Sequence, residues 1–300
     1  MTSRLGSLVY QAMRFTGLTA LARRRAGGVV LCYHNVVADG DAGAGNTLGL
    51  RMPLSKFERQ IRWLRDRYTV IGLEELAERA QRGAPLRRLA ALSFDDGYAG
   101  VLENAWPLLQ SLAIPATVFV IADRGEFWWD DPDVLRAHSP EREQHWLSAY
   151  KGDRAAIIGS VRDRAVAVQP SSQSRPATWE SLAAAARSGL TLGAHSITHR
   201  ALTTLDDAEL RRELTESRAV IAHHCGVSPT LFAYPYGLWD ERLRQATQAA
   251  GYRAAFTLDA AVGTRLRGRD AWSLPRLNIP AGISDIAFQT WTAGLMPGRT

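Results

Sequence analysis

Leu92-Ser93-Phe94-Asp95-Asp96-Gly97-Tyr98 is the stretch on which the reading of this chain turns. The apolar run from Leu89 to Phe94 predicts a buried strand. It ends in two adjacent carboxylates and a glycine. Successive residues of an extended chain point to opposite sides, so a strand end can aim two acids at two tasks. One can bind a metal while the other moves protons. Like charges this close repel, which favours a cation beside them, and Gly97 permits a sharp turn. Asp-Asp-Gly is also an ordinary turn after a strand. A second motif, His195-Ser196-Ile197-Thr198-His199, gives the chemical reading more weight, because it too follows a short apolar strand, one containing Gly193.

The 300 residues, 46% of them hydrophobic, suffice for one large domain or two small ones and are globular in composition. The net charge of +6 is carried almost wholly by arginine, since lysine occurs only at Lys56 and Lys151. The arginines are scattered among acids with no basic-aromatic module, so no nucleic-acid partner is expected. Cys32 and Cys225 are isolated and form neither a disulfide framework nor a zinc knuckle. Cys32 lies in an apolar run and reads as core. No stretch reaches the ~18 apolar residues of a spanning helix. Arg14 and Arg23-Arg24-Arg25 interrupt any signal-peptide pattern. Residues 1–26 instead read as a basic amphipathic helix, with Leu5, Leu8, Val9, Ala12 and Met13 at helical spacing. Such a helix packs on the domain or lies on the cytoplasmic membrane face.

From residue 27 to 300 the chain reads as one unit. Val29 to Tyr33 is a short strand that delivers His34 at its C-terminal end. Residues 38–51 read as a loop, and Ser55 with Glu58 reads as a capping box opening a helix. Strands are expected at Tyr68 to Ile71, Ile114 to Ile121, Leu190 to Ala194, Thr230 to Ala233 and Ala254 to Leu258. Helices are expected between them. This alternation argues for a parallel sheet with helices outside, either open or closed into a barrel. In both, ligand sites lie at the C-terminal strand ends. Residues 123–176 break the rhythm and read as an inserted helical cap with two polar helices. Its Phe127-Trp128-Trp129-Asp130-Asp131 cluster is either the insert's own core or a flat face for a sugar ring.

His34, Asp95, Asp96, His195, His199, the Tyr234-Pro235-Tyr236-Gly237 turn and Asp259 all arrive at strand ends on one face. Histidines four apart can converge on one ion if the chain between them begins a helix. With one carboxylate they make a three-ligand site that leaves room for water and substrate, as catalytic sites do.

These motifs resemble the polysaccharide deacetylases of the NodB-homology type, carbohydrate esterase family 4. Ser93 to Gly97 is similar to the family's first motif, His195 to His199 to its second, and Phe232-Ala233-Tyr234-Pro235-Tyr236-Gly237 to its third. The resemblance runs from about Val29 to Leu277. It implies a distorted (β/α)7 barrel, here with a helical insertion, and metal-dependent removal of N-acetyl groups from glycans. It implies that Asp96, His195 and His199 bind the metal, usually Zn2+ with Ni2+ or Co2+ as alternatives. Asp95 would be the general base, with Ser196 supporting the histidine loop. The metal and a backbone N–H of Tyr236 would hold the oxyanion.

Two departures stand out. Ala233 occupies the position where the family usually has an arginine that orients the catalytic aspartate. The tail, Leu274-Pro275-Arg276-Leu277-Asn278, lacks the family's usual acidic-catalyst histidine. Both roles are expected to have moved, orientation to Arg276 and the general acid to His34. Leu31-Cys32-Tyr33-His34-Asn35-Val36 resembles the Tyr-His segment of a subgroup acting on exopolysaccharides and surface glycans, in which an N-terminal histidine can serve as acid. Asp259 is a weaker match for a residue that orients a catalytic partner.

The expected function is deacetylation of N-acetylhexosamine in a polysaccharide or glycan precursor. The alternatives are a non-catalytic glycan-binding relative and an amidase for another C–N substrate. The N-terminal reading suggests a cytoplasmic protein at the inner-membrane face, acting on a lipid-linked or nucleotide-linked sugar.

Overall fold

The computed structural model describes residues 27–42, 46, 48–161, 171–258, 266 and 269–295. The expected N-terminal helix and Asp259 lie outside the described residues. Eleven strands occur among the described residues: β1 Val29–Tyr33, β2 Asn35–Val37, β3 Arg51–Pro53, β4 Thr69–Val70, β5 Leu89–Phe94, β6 Thr117–Val120, β7 Thr191–Ala194, β8 Leu231–Ala233, β9 Ala254–Thr257, β10 Leu274–Pro275 and β11 Leu277–Asn278. All but β2 and β3 form one sheet in the order β10-β9-β8-β7-β6-β5-β1-β11, with β4 against β5. Every pairing is parallel.

The two ends of that path, β10 and β11, are one segment interrupted at Arg276. Its first half pairs with β9 and its second half with β1. The Arg276 N–H donates to Thr257 O at 3.2 Å across the break. The segment is therefore the seventh stave of a nearly closed barrel, as expected, and it places Arg276 at the closing seam. Alternation sorts the side chains. Val30, Ala91, Phe119, Ala233 and Phe256 share one buried cluster inside the ring, while Leu31, Leu92, Val118 and Phe232 pack outward beneath the helices. Helix α1 (Leu54–Arg65) follows β3, and α2 (Leu73–Gln81) buries Leu73, Leu76, Ala77 and Ala80 against the inner cluster. Thr230 Oγ1 donates to Glu74 of α2, which places that helix under the N-terminal end of β8. The opposite end is left for the site.

The capping box expected at Ser55 is absent. Pro53 is the N-cap of α1 and makes no side-chain cap, because β3 runs directly into the helix. Asp39, in a 3-10 turn within the expected loop, accepts from Ser55 N at 2.9 Å instead. Among its described residues the insert carries three α-helices where two were expected, α4 Pro132–Ala137, α5 Pro140–Ser148 and α6 Arg154–Val161, after the short barrel helix α3 Trp106–Ser111. Capping explains the extra break. The Asp131 and Ser139 side chains each cap a new N-terminus, and Pro follows each of them. Phe127, Trp128 and Trp129 are 4–5% exposed, so they form a core and not an open sugar-stacking face. The remaining barrel helices are α7 Trp179–Arg187, α8 Asp207–Cys225, α9 Glu241–Ala249 and α10 Asp285–Thr292.

The segment after the Asp-Asp turn is locked to β2. A Cβ on Gly100 would stand 2.4 Å from Asn35 Oδ1, 2.6 Å from Val36 O and 3.0 Å from Gln173 O. Two of these atoms are backbone. Gly100→Ala should therefore destabilise the fold by about 1–3 kcal/mol, the usual cost of overpacking. Gly282→Ala, where nothing lies within 4 Å of the new Cβ, should not. Urea denaturation of the two variants checks this.

Candidate active site

Inward alternation along β5 carries Ala91 and Ser93 to the barrel interior, and Asp95 continues that series. Asp95 meets Arg276 there. Arg276 Nη1 donates to Asp95 Oδ1 at 2.6 Å and Nη2 to Oδ2 at 2.8 Å, a bidentate pair with both side chains at most 1% exposed. The guanidinium is itself held by Ser93 Oγ at 3.2 Å and Thr257 O at 3.3 Å, and it lies over the Phe119 ring. Burial alone would raise the Asp95 pKa, but the adjacent Arg276 charge and its two N–H bonds hold it well below the usual carboxylate range. Ala233 faces the same interior. The arginine missing from β8 is thus replaced in space by one arriving from the closing stave.

Cys32, read as core, does more than fill space. It pairs in register with Ser93 and Asn278, and its thiol donates to Asp95 Oδ2 at 3.3 Å. His34, two residues on, completes this corner. A ring nitrogen of His34, Cys32 Sγ and an Asp95 carboxylate oxygen all lie within 4.8 Å of one another. Burial, against the pull of Asp95, pushes the His34 pKa down to about 4.

Asp96 turns away from Asp95 because its φ is +70°, followed by Gly97 at +75°. Its Oδ1 lies 3.6 Å from His195 Nε2 and 3.6 Å from His199 Nε2. All three residues are buried. His195 Nδ1 sits 2.7 Å from Ala233 O; a carbonyl only accepts, so the proton is on Nδ1 and the Nε2 lone pair faces Asp96. No helix begins between the two histidines, so convergence is reached in another way. Positive φ at Ser196 (+67°) and His199 (+58°) folds a tight loop instead, with Ser196 Oγ accepting from His199 N at 2.9 Å. That is the support expected of Ser196.

Glu213, on α8, holds the same loop and was not legible in the sequence. Its carboxylate accepts from the backbone of Ile197 at 2.7 Å and of Thr198 at 3.0 Å, and from the Thr198 hydroxyl. A Glu one helix away carries no local signal; only its register on α8 could have suggested it. Arg124 similarly fixes the Asp-Asp turn, donating to Gly97 O, Ala177 O and Ile121 O. Trp129 packs on the His199 ring at 4.5 Å and donates its indole N–H to Tyr98 OH, which donates to Asp130. Tyr236 has φ +59°, its ring lies 4.5 Å from His199, and its hydroxyl donates to His199 O at 2.9 Å.

The residues fit a divalent ion. A tetrahedral ion with bonds of ~2.0–2.2 Å has ligand edges near ~3.4 Å, close to the 3.6 Å separations here. Burial and then the Asp95 charge raise the Asp96 pKa well above normal, so a cation beside it would favour its ionised form. Burial lowers both histidines, keeping them neutral and able to ligate.

The family model for polysaccharide deacetylase matches residues 82–255. This chain belongs to the polysaccharide deacetylase family. It is a deacetylase-type hydrolase. It is 23% identical to YxkH of Bacillus subtilis (strain 168) over 261 residues, 86% of this chain and 74% of that protein. It is 24% identical to the poly-beta-1,6-N-acetyl-D-glucosamine N-deacetylase of Staphylococcus aureus (strain MRSA252) over 240 residues, 78% of this chain and 68% of that one. Its fold resembles that of IcaB from Ammonifex degensii, with TM-score 0.62, 21% identity, and coverage of 90% of this chain and 97% of that one. In this polysaccharide deacetylase Ala233 stands on β8, and the guanidinium beside Asp95 comes from Arg276 on the closing stave.

Proposed function

We propose that this polysaccharide deacetylase removes N-acetyl groups from N-acetylhexosamine units of an exopolysaccharide or surface glycan, using a divalent metal held by Asp96, His195 and His199. The observation that carries this reading is the adjacency of two devices. A cluster of three buried ligands sits beside a buried carboxylate held ionised by Arg276.

A zinc ion, when bound, would polarise the amide carbonyl and lower the pKa of a ligated water. The chain's own residues supply the proton handling. Asp95, oriented by Arg276, takes a proton from the attacking water. The backbone N–H of Tyr236 would donate to the developing oxyanion. His34 delivers a proton to the departing amine nitrogen. The products are acetate and a free amino sugar. Poly-β-1,6-N-acetylglucosamine is the first substrate to test, on the strength of the Staphylococcus aureus relative.

The test is bound metal per chain by elemental analysis together with release of primary amine from acetylated glycans. Near one metal in the wild type, lost in Asp96→Ala and His199→Ala along with activity, is expected. A wild type that stays empty after incubation with zinc, nickel or cobalt would overturn the reading. Glu213→Ala should weaken metal binding about 10- to 100-fold, as loss of ligand-orienting partners does; competition with a chelator measures it.

We also propose that residues 1–26 bring the enzyme to a membrane-borne glycan on the cytoplasmic side. No described helix is long and apolar enough to cross a membrane. Flotation with anionic vesicles should fail when residues 1–26 are removed.

A further inference from the structure

Cys32, His34 and Asp95 form a second group of ligand atoms within 4.8 Å of one another, beside the Asp96 group but sharing none of its members. We propose that this trio is an inhibitory site for zinc and softer divalent ions such as cadmium, filled after the Asp96 site and disabling Asp95 and His34 together.

The donor set is a thiol, an imidazole and one carboxylate. A thiolate with an imidazole selects zinc and softer ions, and discriminates against magnesium and calcium, which want oxygen. The spacing suits the exchange. Cys32 Sγ already stands 3.3 Å from Asp95 Oδ2 with its proton between them. Bonds of ~2.3 Å to sulfur and ~2.0 Å to oxygen give an edge of about 3.5 Å, so the ion takes the place of that proton. The balance is simple: the S–H bond breaks, the thiolate binds the ion, and the proton leaves to solvent with no change of oxidation state. Asp95 Oδ2 has two lone pairs. One accepts from Arg276 Nη2 at 2.8 Å, and the other, now held by the thiol, becomes the metal's. His34 is only partly buried and offers the way in.

The order of filling follows from charge. Arg276 already neutralises Asp95, whereas no guanidinium is bonded to Asp96 among the contacts described. A second ion beside Arg276 and beside a first ion is repelled by both, so this site binds more weakly.

The inhibitory consequence rests on the proposed roles of Asp95 and His34, but the binding does not. The experiment therefore has two arms. Protein holding one cobalt ion is titrated with more cobalt. The expected result is a second bound ion and a thiolate-to-cobalt charge-transfer band in the near ultraviolet. The band should be absent in Cys32→Ser and in Cys32→Ala, and retained in Cys225→Ser, where Cys32 is the one thiol left. In the second arm, wild-type amine release falls at least tenfold in excess zinc or cadmium. Cys32→Ser, scaled to its own rate at one equivalent, falls far less. A stoichiometry that stays at one without the band overturns the proposal, as does a band lost in Cys225→Ser or equal inhibition of Cys32→Ser. Absence of deacetylation at one equivalent, with the band intact, instead counts against the proposed function alone.

Discussion

Arg276→Ala is expected to lower kcat by about 10²- to 10⁴-fold, the range that a positioned acid or base contributes, while bound metal stays near one per chain. Arg276 reaches Asp95 through two N–H bonds of 2.6 and 2.8 Å and no bond of its own goes to Asp96, so the loss falls on the base and spares the ligand set. The substitution also strands a buried carboxylate. Removing one partner of a buried pair typically costs about 3–5 kcal/mol, and urea denaturation should show it. Two further variants separate orientation from stability. Arg276→Lys keeps the charge but not the planar fork, so it should recover stability more than rate. The pair Asp95→Asn with Arg276→Met removes both charges and should regain stability while staying inactive. An Arg276→Ala enzyme that turns over at the wild-type rate would remove the assigned role.

His34→Gln is the second large effect. Turnover should drop by about 10²- to 10⁴-fold, with the metal retained because His34 lies outside the Asp96 group. Surviving activity would end the idea that the acid moved to the N-terminal strand. The folded ring titrates at about 4 against an ordinary 6.5, so it is uncharged at neutral pH. In the proposed mechanism the proton it donates must then arrive during the reaction, and Asp95, the proposed base, has a carboxylate oxygen within 4.8 Å of a His34 ring nitrogen to pass it on. The same shift has a signed effect on stability. Between pH 6.5 and 4 the unfolded chain binds a proton that the folded ring refuses. Stability therefore falls as pH drops through that window, by at most about 3 kcal/mol at ~1.4 kcal/mol per pKa unit. In chelator-treated protein, thermal melts from pH 7 to 4 should decline less steeply for His34→Gln than for the wild type.

Much of the site was legible because its signals are local. An apolar run long enough for a buried strand ended in Asp95-Asp96-Gly97. Another ended in His195 with His199 four residues on. Parallel strands bring such ends to one face whatever the order of the strands. The convergence of Asp95, Asp96, His195 and His199 on one end of the sheet, and the parallel barrel with its insert, therefore followed from pattern and spacing, while the roles proposed for these residues rest on the family resemblance. Even the move of a guanidinium to Arg276 was inferable, from Ala233 and from the arginine between Pro275 and Leu277.

Other features depended on the tertiary structure. In the sequence, the loop joining the two histidines had one expected route to bring them to one ion, the start of a helix. It became a strained turn because Glu213, fourteen residues beyond His199, accepts its backbone N–H groups. Cys32 looked like any small core residue. Its thiol reaches Asp95 only because β1 lies between β5 and β11 in a register that sets Cys32 opposite both Ser93 and Asn278. Alternation along a strand says which face a side chain takes. Which partner it meets across the barrel is set by strand order and shear, and those are properties of the closed ring.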